Sequence, residues 1–190
     1  QLGLVKGVPN KQSFDFQLIQ ADPNLPTGLN SHSIACLLLD PLQPDSVLWI
    51  GTKGGGINRF NLQTNQCRHI TTADGLPNNV VYGILADQHN NLWCSTNRGL
   101  AKVTQRPGDS SLAFDVTAFT VKMGLQDNEF NSFAYFKAAN GELLFGGVNG
   151  LNRFFPEELQ QDTLRPPVYV VGLEINHISA PPPLLSGPVE

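Results

Sequence analysis

One short pattern occurs three times along the chain and limits its fold more than any other feature. Leu48-Trp49-Ile50-Gly51-Thr52 leads into Lys53-Gly54-Gly55-Gly56. Leu92-Trp93-Cys94-Ser95-Thr96 leads into Asn97-Arg98-Gly99-Leu100. Leu143-Leu144-Phe145-Gly146-Gly147 leads into Val148-Asn149-Gly150-Leu151. Trp49 and Trp93 stand 44 residues apart, and Leu144 follows 51 residues after Trp93. Self-similarity at roughly 40–50 residues belongs to solenoids, propellers and arrays. A helical solenoid is excluded, because no segment carries apolar residues at the 3.6-residue period.

Each unit opens on a glycine joint: Gly28-Leu29-Asn30-Ser31-His32, Gly75-Leu76-Pro77-Asn78-Asn79, and Gly124-Leu125-Gln126-Asp127-Asn128. Short strand-like runs follow each joint. In the first unit they are 34–40, 47–52, 56–61 and 66–71. In the second they are 80–87, 92–96, 99–104 and 113–121. In the third they are 133–137, 142–145 and 150–155, with a further strand over 168–175 beyond the stop at Pro166-Pro167. This pattern specifies an all-β fold, a partial β-propeller made of four-stranded antiparallel blades. Residues 1–27 read as the end of a preceding blade, since 14–19 alternate polar and apolar with period two. Residues 28–165 read as consecutive blades. Residues 166–190 read as a closing strand or the start of another domain, with a linker at Ala180-Pro181-Pro182-Pro183. The almost uniformly apolar run 34–40 predicts a strand buried on both faces. Pro156-Glu157-Glu158-Leu159 predicts one solvated helical turn with Pro at its start. Both faces of a blade pack on neighbours, so Trp49 and Trp93 are expected in the core rather than on a ligand platform. Leu144 keeps bulk at that position without stacking.

Composition narrows the partners. Only 15 % of the residues are charged and the net charge is -4, with no Lys/Arg cluster, so nucleic acid and anionic membrane surfaces are not expected partners. The longest apolar run, 34–39, is far too short to span a bilayer, so no membrane insertion is expected of this segment. Gln1-Leu2-Gly3-Leu4 is no signal peptide and reads as the interior of a longer polypeptide. Cys36, Cys67 and Cys94 are an odd number at no metal-like spacing. Cys36 and Cys94 lie in apolar strands and are expected to act as small hydrophobes.

Leu48-Trp49-Ile50-Gly51-Thr52 with Gly56-Ile57-Asn58-Arg59-Phe60, and the joint Thr72-Ala73-Asp74-Gly75-Leu76-Pro77-Asn78-Asn79-Val80, resemble the two-component regulator propeller repeat. The stretches 124–131 and 140–154 resemble its last repeat, and Pro166-Pro167-Val168-Tyr169-Val170 resembles the opening of the triple-tyrosine domain. The chain departs from the pattern at Cys94 for Ile, at Leu144 for Trp, and in the longer turn 41–46. The resemblance implies the periplasmic, extracytoplasmic sensor region of a hybrid two-component histidine kinase, as is common in Bacteroidetes. It implies a ring of seven blades, an oligosaccharide ligand, and a kinase elsewhere in the polypeptide.

No catalytic or metal constellation is visible, and no cofactor is expected. His32, His69, His89 and His177 lack the helical pairing of a zinc protease. Residues 51–56 lack the ending of a phosphate loop, and no nucleophile elbow occurs. What remains is a surface. If the strands of each blade alternate in direction, the joints and the turns between second and third strands emerge on one face. That face carries Lys53, Asn79, Asn97, Arg98, Asp127, Asn128 and Asn149, with His32 and Asn78 beside them. Amides and Arg there can exchange hydrogen bonds with a hydroxyl-rich ligand. Against this, Asn and Asp also stabilise tight turns through their own backbone. Arg98 is required by no turn geometry. The expected function is a non-catalytic sensor fragment that binds a small ligand or relays a signal. The alternatives are an interaction scaffold without small ligand and a glycan-active enzyme. Its partners would be the rest of the sensor polypeptide and, through unclosed end blades, a second copy.

Overall fold

Each glycine joint hands the chain to a new antiparallel sheet. The computed structural model describes residues 3–22, 24–106, 113–159, 173–175 and 178–180. A hairpin of β1 (Leu4–Asn10) and β2 (Ser13–Ile19) comes first. A four-stranded sheet follows, with β3 (Ile34–Leu39), β4 (Val47–Thr52), β5 (Ile57–Asn61) and β6 (Cys67–Ile70) side by side in chain order. The second such sheet holds β7 (Val81–Ala86), β8 (Leu92–Thr96), β9 (Gly99–Gln105) and β10 (Phe114–Phe119). The third has β11 (Phe130–Lys137), β12 (Leu143–Gly147) and β13 (Gly150–Phe154). Residues 159–190 form a separate unit, whose described part is the hairpin of β14 (Leu173–Ile175) and β15 (Ile178–Ala180). The fold is all-β, of propeller type.

The register repeats with the sequence. Trp49 lies between Leu38 and Arg59, Trp93 between Leu85 and Lys102, and Leu144 between Phe136 and Arg153. The β1–β2 hairpin has the register of a sheet's outer half. Leu4 faces Ile19 as Ile57 faces Ile70 and Leu100 faces Phe119. Ahead of each pair stands a glycine with left-handed backbone: Gly3 (φ 97°), Gly56 (φ 71°) and Gly99 (φ 120°). A Cβ at any of the three would run into the carbonyl oxygen of Ile19, Ile70 or Phe119, so only glycine fits.

The first strands of the sheets adjoin, with β7 against both β3 and β11. A bulge breaks each of them early: between Ile34 and Cys36, between Val81 and Gly83, and between Phe130 and Tyr135. Cys36, Trp49, Ile57, Ile84, Cys94 and Val103 belong to the core between the first and second sheets. Trp93, Leu100, Phe130, Leu143 and Phe145 belong to the core between the second and third. Trp49 and Trp93 are 3 % and 1 % exposed, in the core as expected.

Three expectations need correction. The run 34–40 is not buried on both faces, since Leu37 and Leu39 are exposed. Their matches in the second sheet, Ile84 and Ala86, are buried against the first sheet. Ahead of the first sheet the described residues supply only the two outer strands, so nothing covers Leu37 and Leu39. For the same reason Phe14, Phe16 and Leu18 alternate as a strand should but are all exposed. The third sheet begins at Phe130 rather than 133, because the longer bulge hides the period of its first residues. Ala180 lies in β15 rather than in a linker. Of the expected strand over 168–175, residues 168–172 fall outside the described residues, as does the stretch that resembles the triple-tyrosine opening. Residues 156–158 do form a short 3-10 turn.

Candidate ligand-binding face and inter-sheet cleft

The joints and the turns between second and third strands meet on one edge of the sheets, through the backbone. The Asn79 carbonyl accepts from the Gly54 and Gly56 N–H groups at 3.0 and 2.8 Å, and Lys53 bridges Val80. The Asn128 carbonyl accepts from Gly99 N–H at 2.6 Å. Each turn is thus latched to the joint that enters the next sheet. Left-handed glycines in the turns aim these N–H groups outward.

Side chains on this edge divide into two groups. The first group is spent on local backbone. Asn79 Oδ1 accepts from Thr72 N–H at 2.8 Å and Asn128 Oδ1 from Val121 N–H at 3.1 Å, each closing the short 3-10 turn ahead of its joint. Asn78 Oδ1 accepts from Val80 N–H at 2.8 Å, and Asp127 Oδ1 from Asn128 N–H at 2.6 Å. Asn149 donates its backbone N–H to Gln126 Oε1 at 2.7 Å and its amide to the Gln126 carbonyl at 3.4 Å. In the second group no side-chain hydrogen bond to local backbone is formed among the described residues. Lys53 and Arg98 are exposed. Arg98 is anchored only by its own N–H, which donates to Thr96 Oγ1 at 3.0 Å. Asn97 Oδ1 is buried and has no hydrogen-bond partner. His32 is exposed at the first joint. Lys53 is therefore brought to Asn79, and Asn97 with Arg98 to Asn128, while Asn149 stays with its own sheet's joint. Among the described residues no hydrogen bond links one of these clusters to the next.

The opposite edge holds a feature that none of the sequence motifs marks. A cleft of about 600 Å³ opens between the first and second sheets, lined among others by Asp40, Gln43, Trp49, His89, Asn91 and Phe114. Behind it lies a repeated polar anchor. Asp40 Oδ2 accepts from Trp49 Nε1 at 2.8 Å, and Asp87 Oδ2 from Trp93 Nε1 at 3.0 Å. Burial pushes the Asp87 carboxyl up, but hydrogen bonds from Asn91, Trp93 and His89 outweigh it and bring the pKa below 3.8. The third sheet has Ala138 where the first two have aspartate, and Leu144 where they have tryptophan. Ala138 N–H donates to the Glu142 carbonyl just as Asp40 and Asp87 donate to Val47 and Asn91. The sequence signal for the cleft was the longer turn 41–46, together with the aspartate that ends each of the first two inner strands.

Burial pushes the Cys36 and Cys67 thiols up to about 12 and the Cys94 thiol well above its ordinary value, so none offers a nucleophile. Among the described residues no three His, Cys, Asp or Glu side chains gather as metal ligands would.

Residues 75–98, running from the second joint through β7 and β8 to the latched turn, match the family described as two component regulator propeller. The propeller chain is 28 % identical over 129 residues to Histidine kinase P4 of Formosa agariphila, a match covering 68 % of this chain and 8 % of that protein. It therefore spans a small fraction of that relative's length. Two crystal structures of the extracellular domain of BT4673 from B. thetaiotaomicron, one titled a one component system and one a hybrid two component system, share its fold. Each has a TM-score of 0.56 at 18 % identity, covering 80 % of this chain and 18 % of the other. The propeller chain thus has the fold of these extracellular domains. No helix among its described residues is long and apolar enough to cross a membrane.

Proposed function

We propose that this chain is part of the periplasmic sensor propeller of a hybrid two-component histidine kinase, with the kinase elsewhere in the same polypeptide. It binds a small hydroxyl-rich ligand, an oligosaccharide, on the edge where joints and turns meet, and it performs no catalysis itself. One observation carries the reading. Lys53 and Arg98 project from turns whose backbones are latched to the next joint, so unspent cationic donors sit on a braced scaffold. Guanidinium and amide groups recognise hydroxyl oxygens through directional hydrogen bonds. Binding of the complete extracellular region to a glycan array tests it. Arg98→Ala is expected to weaken the bound glycan about tenfold or more, as loss of a charged hydrogen bond does, and to leave the melting temperature unchanged. Lowered stability with unchanged affinity would make Arg98 structural. A region that binds no glycan would leave the interaction scaffold, a reading favoured by how many joint side chains are spent on backbone.

A further inference from the structure

The chain contains two Asn-Gly pairs, Asn140-Gly141 and Asn149-Gly150, and both lie in turns of the third sheet. An asparagine followed by glycine can react with its own backbone, because no Cβ shields the next amide nitrogen. The fold holds the two pairs differently. The turn between β11 and β12 is closed by Ala138 N–H donating to the Glu142 carbonyl at 2.9 Å and by Gly141 N–H donating to the Ala138 carbonyl at 3.0 Å. Within it, Asn140 Oδ1 accepts from Glu142 N–H at 3.2 Å. Asn140 is exposed, and Gly141 has left-handed backbone at φ 92°. A Cβ at Gly141 would meet nothing within 4 Å, so the turn has open space where a ring would form. The second sheet makes the same turn over 87–91, with Asn90 N–H donating to the Asp87 carbonyl at 3.3 Å. There His89-Asn90 stands in place of Asn140-Gly141, and histidine has no amide carbon to close a ring.

Asn149 is tied the other way round. Its N–H donates to Gln126 Oε1 at 2.7 Å and its amide nitrogen to the Gln126 carbonyl at 3.4 Å, and among the described residues no donor reaches its Oδ1. The difference bears on reactivity, because a donor aimed at an oxygen where negative charge develops lowers the barrier to attack on its carbon.

We propose that Asn140 is a site of spontaneous succinimide formation and deamidation, with the Glu142 N–H as donor to the developing oxyanion. Hydroxide removes the Gly141 amide proton, and the nitrogen attacks Cγ of Asn140. Charge gathers on Oδ1, where the Glu142 N–H already points. The N–Cγ bond forms and the Cγ–Nδ2 bond breaks. Ammonia leaves after taking a proton from water, which restores the hydroxide. Water then opens the ring, at Cγ to give aspartate or at the Asn140 backbone carbonyl carbon to give isoaspartate. Either product sets a carboxylate close in sequence to Glu142, whose own carboxylate pairs with Arg153 Nε at 2.8 Å. Isoaspartate also adds a methylene to the backbone of a turn closed by short hydrogen bonds. Ala138 follows Lys137, whose Nζ donates to the Ala86 carbonyl at 2.8 Å, so the change falls beside a clasp between the third sheet and the second. The proposal stands whether or not the joint-and-turn edge binds a ligand.

The test ages the purified 190-residue chain in mildly alkaline buffer, folded and in urea. Tryptic peptide mass spectrometry and labelling by an isoaspartyl methyltransferase follow the reaction. Cleavage after Lys137 and Arg153 releases one peptide with both pairs, which its fragment ions separate. In the folded chain the gain of one mass unit is expected about tenfold faster at Asn140 than at Asn149, since one fixed donor on a developing oxyanion contributes at least that. In urea the two rates are expected to converge. Asn140→Gln is expected to remove the isoaspartate label from that turn at an unchanged melting temperature. Equal rates in the folded chain, faster conversion at Asn149, or a preference for Asn140 that persists in urea would each overturn the proposal.

Discussion

Within single positions the three repeats correct one another. The Asn30 N–H donates to the Asn58 side chain at 3.2 Å and the Gln126 N–H to the Asn152 side chain at 2.9 Å. The second joint has Pro77 there, which carries no N–H, and Ala101 stands where the other sheets have asparagine. Asn58→Ala is therefore expected to cost about 1–3 kcal/mol by stranding a donor, whereas Ala101→Asn should gain nothing; urea midpoints of the two variants decide this. The tryptophan–aspartate pair obeys the same logic. Trp93→Ala is expected to cost about 3–5 kcal/mol, as large-to-small core changes do, and a melting shift near zero would place Trp93 at the surface. The lowered pKa of Asp87 gives a pH signature. A carboxyl whose folded pKa lies below its unfolded value stabilises the protein above the unfolded value, and that contribution fades as pH falls through the folded one. Stability is thus expected to fall below about pH 4, and Asp87→Asn, which cannot titrate, should show a shallower fall between about pH 7 and about pH 3. An equal fall in both proteins would remove Asp87 from the acid response.

Strands and turns were largely legible, and the exceptions have physical causes. Strands β4 and β8 run over the segments read from sequence, because apolar runs bounded by glycine turns admit no other register. The start of β11 was hidden because its bulge breaks the period of two and holds Phe133 at φ 64°. The short 3-10 turns at Thr72–Asp74 and Val121–Met123 were also missed, since they are closed by asparagines seven residues onward, Asn79 and Asn128. Those same asparagines, expected at the ligand face, use their Oδ1 atoms to fasten the loop ahead of each joint, while the Arg98 and Lys53 side chains are exposed. Where inner strands meet, space is decisive: a Cβ on Gly83 of β7 would overlap the Tyr135 ring of β11. Gly83→Ala is expected to destabilise the second-to-third contact by about 1–3 kcal/mol, the usual cost of overpacking, measured as a lower urea midpoint. A midpoint at or above the parent's would show that Tyr135 moves aside freely.

Taken whole, the sheets of residues 3–158 end in uncovered apolar surface at both extremes. Leu37 and Leu39 lie bare on the first full sheet, and Phe133, Phe136 and Leu151 on the last. These faces repeat the chemistry of those that pack inside, so the isolated chain is expected to self-associate, and light scattering across a concentration series measures it. A monomer throughout would show that these faces tolerate water. The sequence revealed the repeat that produces such faces but only one wall of the cleft, the longer turn 41–46, because the rest depends on how two sheets splay rather than on residues within one.

The latches described above lie along one rim only. Between the first two sheets, backbone hydrogen bonds join turn to joint at that rim, whereas at the far rim the contact is Trp49 against Phe114. The two sheets are bound like pages at a spine. Any opening between them is expected to swing about Asn79 and to be widest at the cleft, so filling the cleft would change the angle at which one blade meets the next without stretching a single latch.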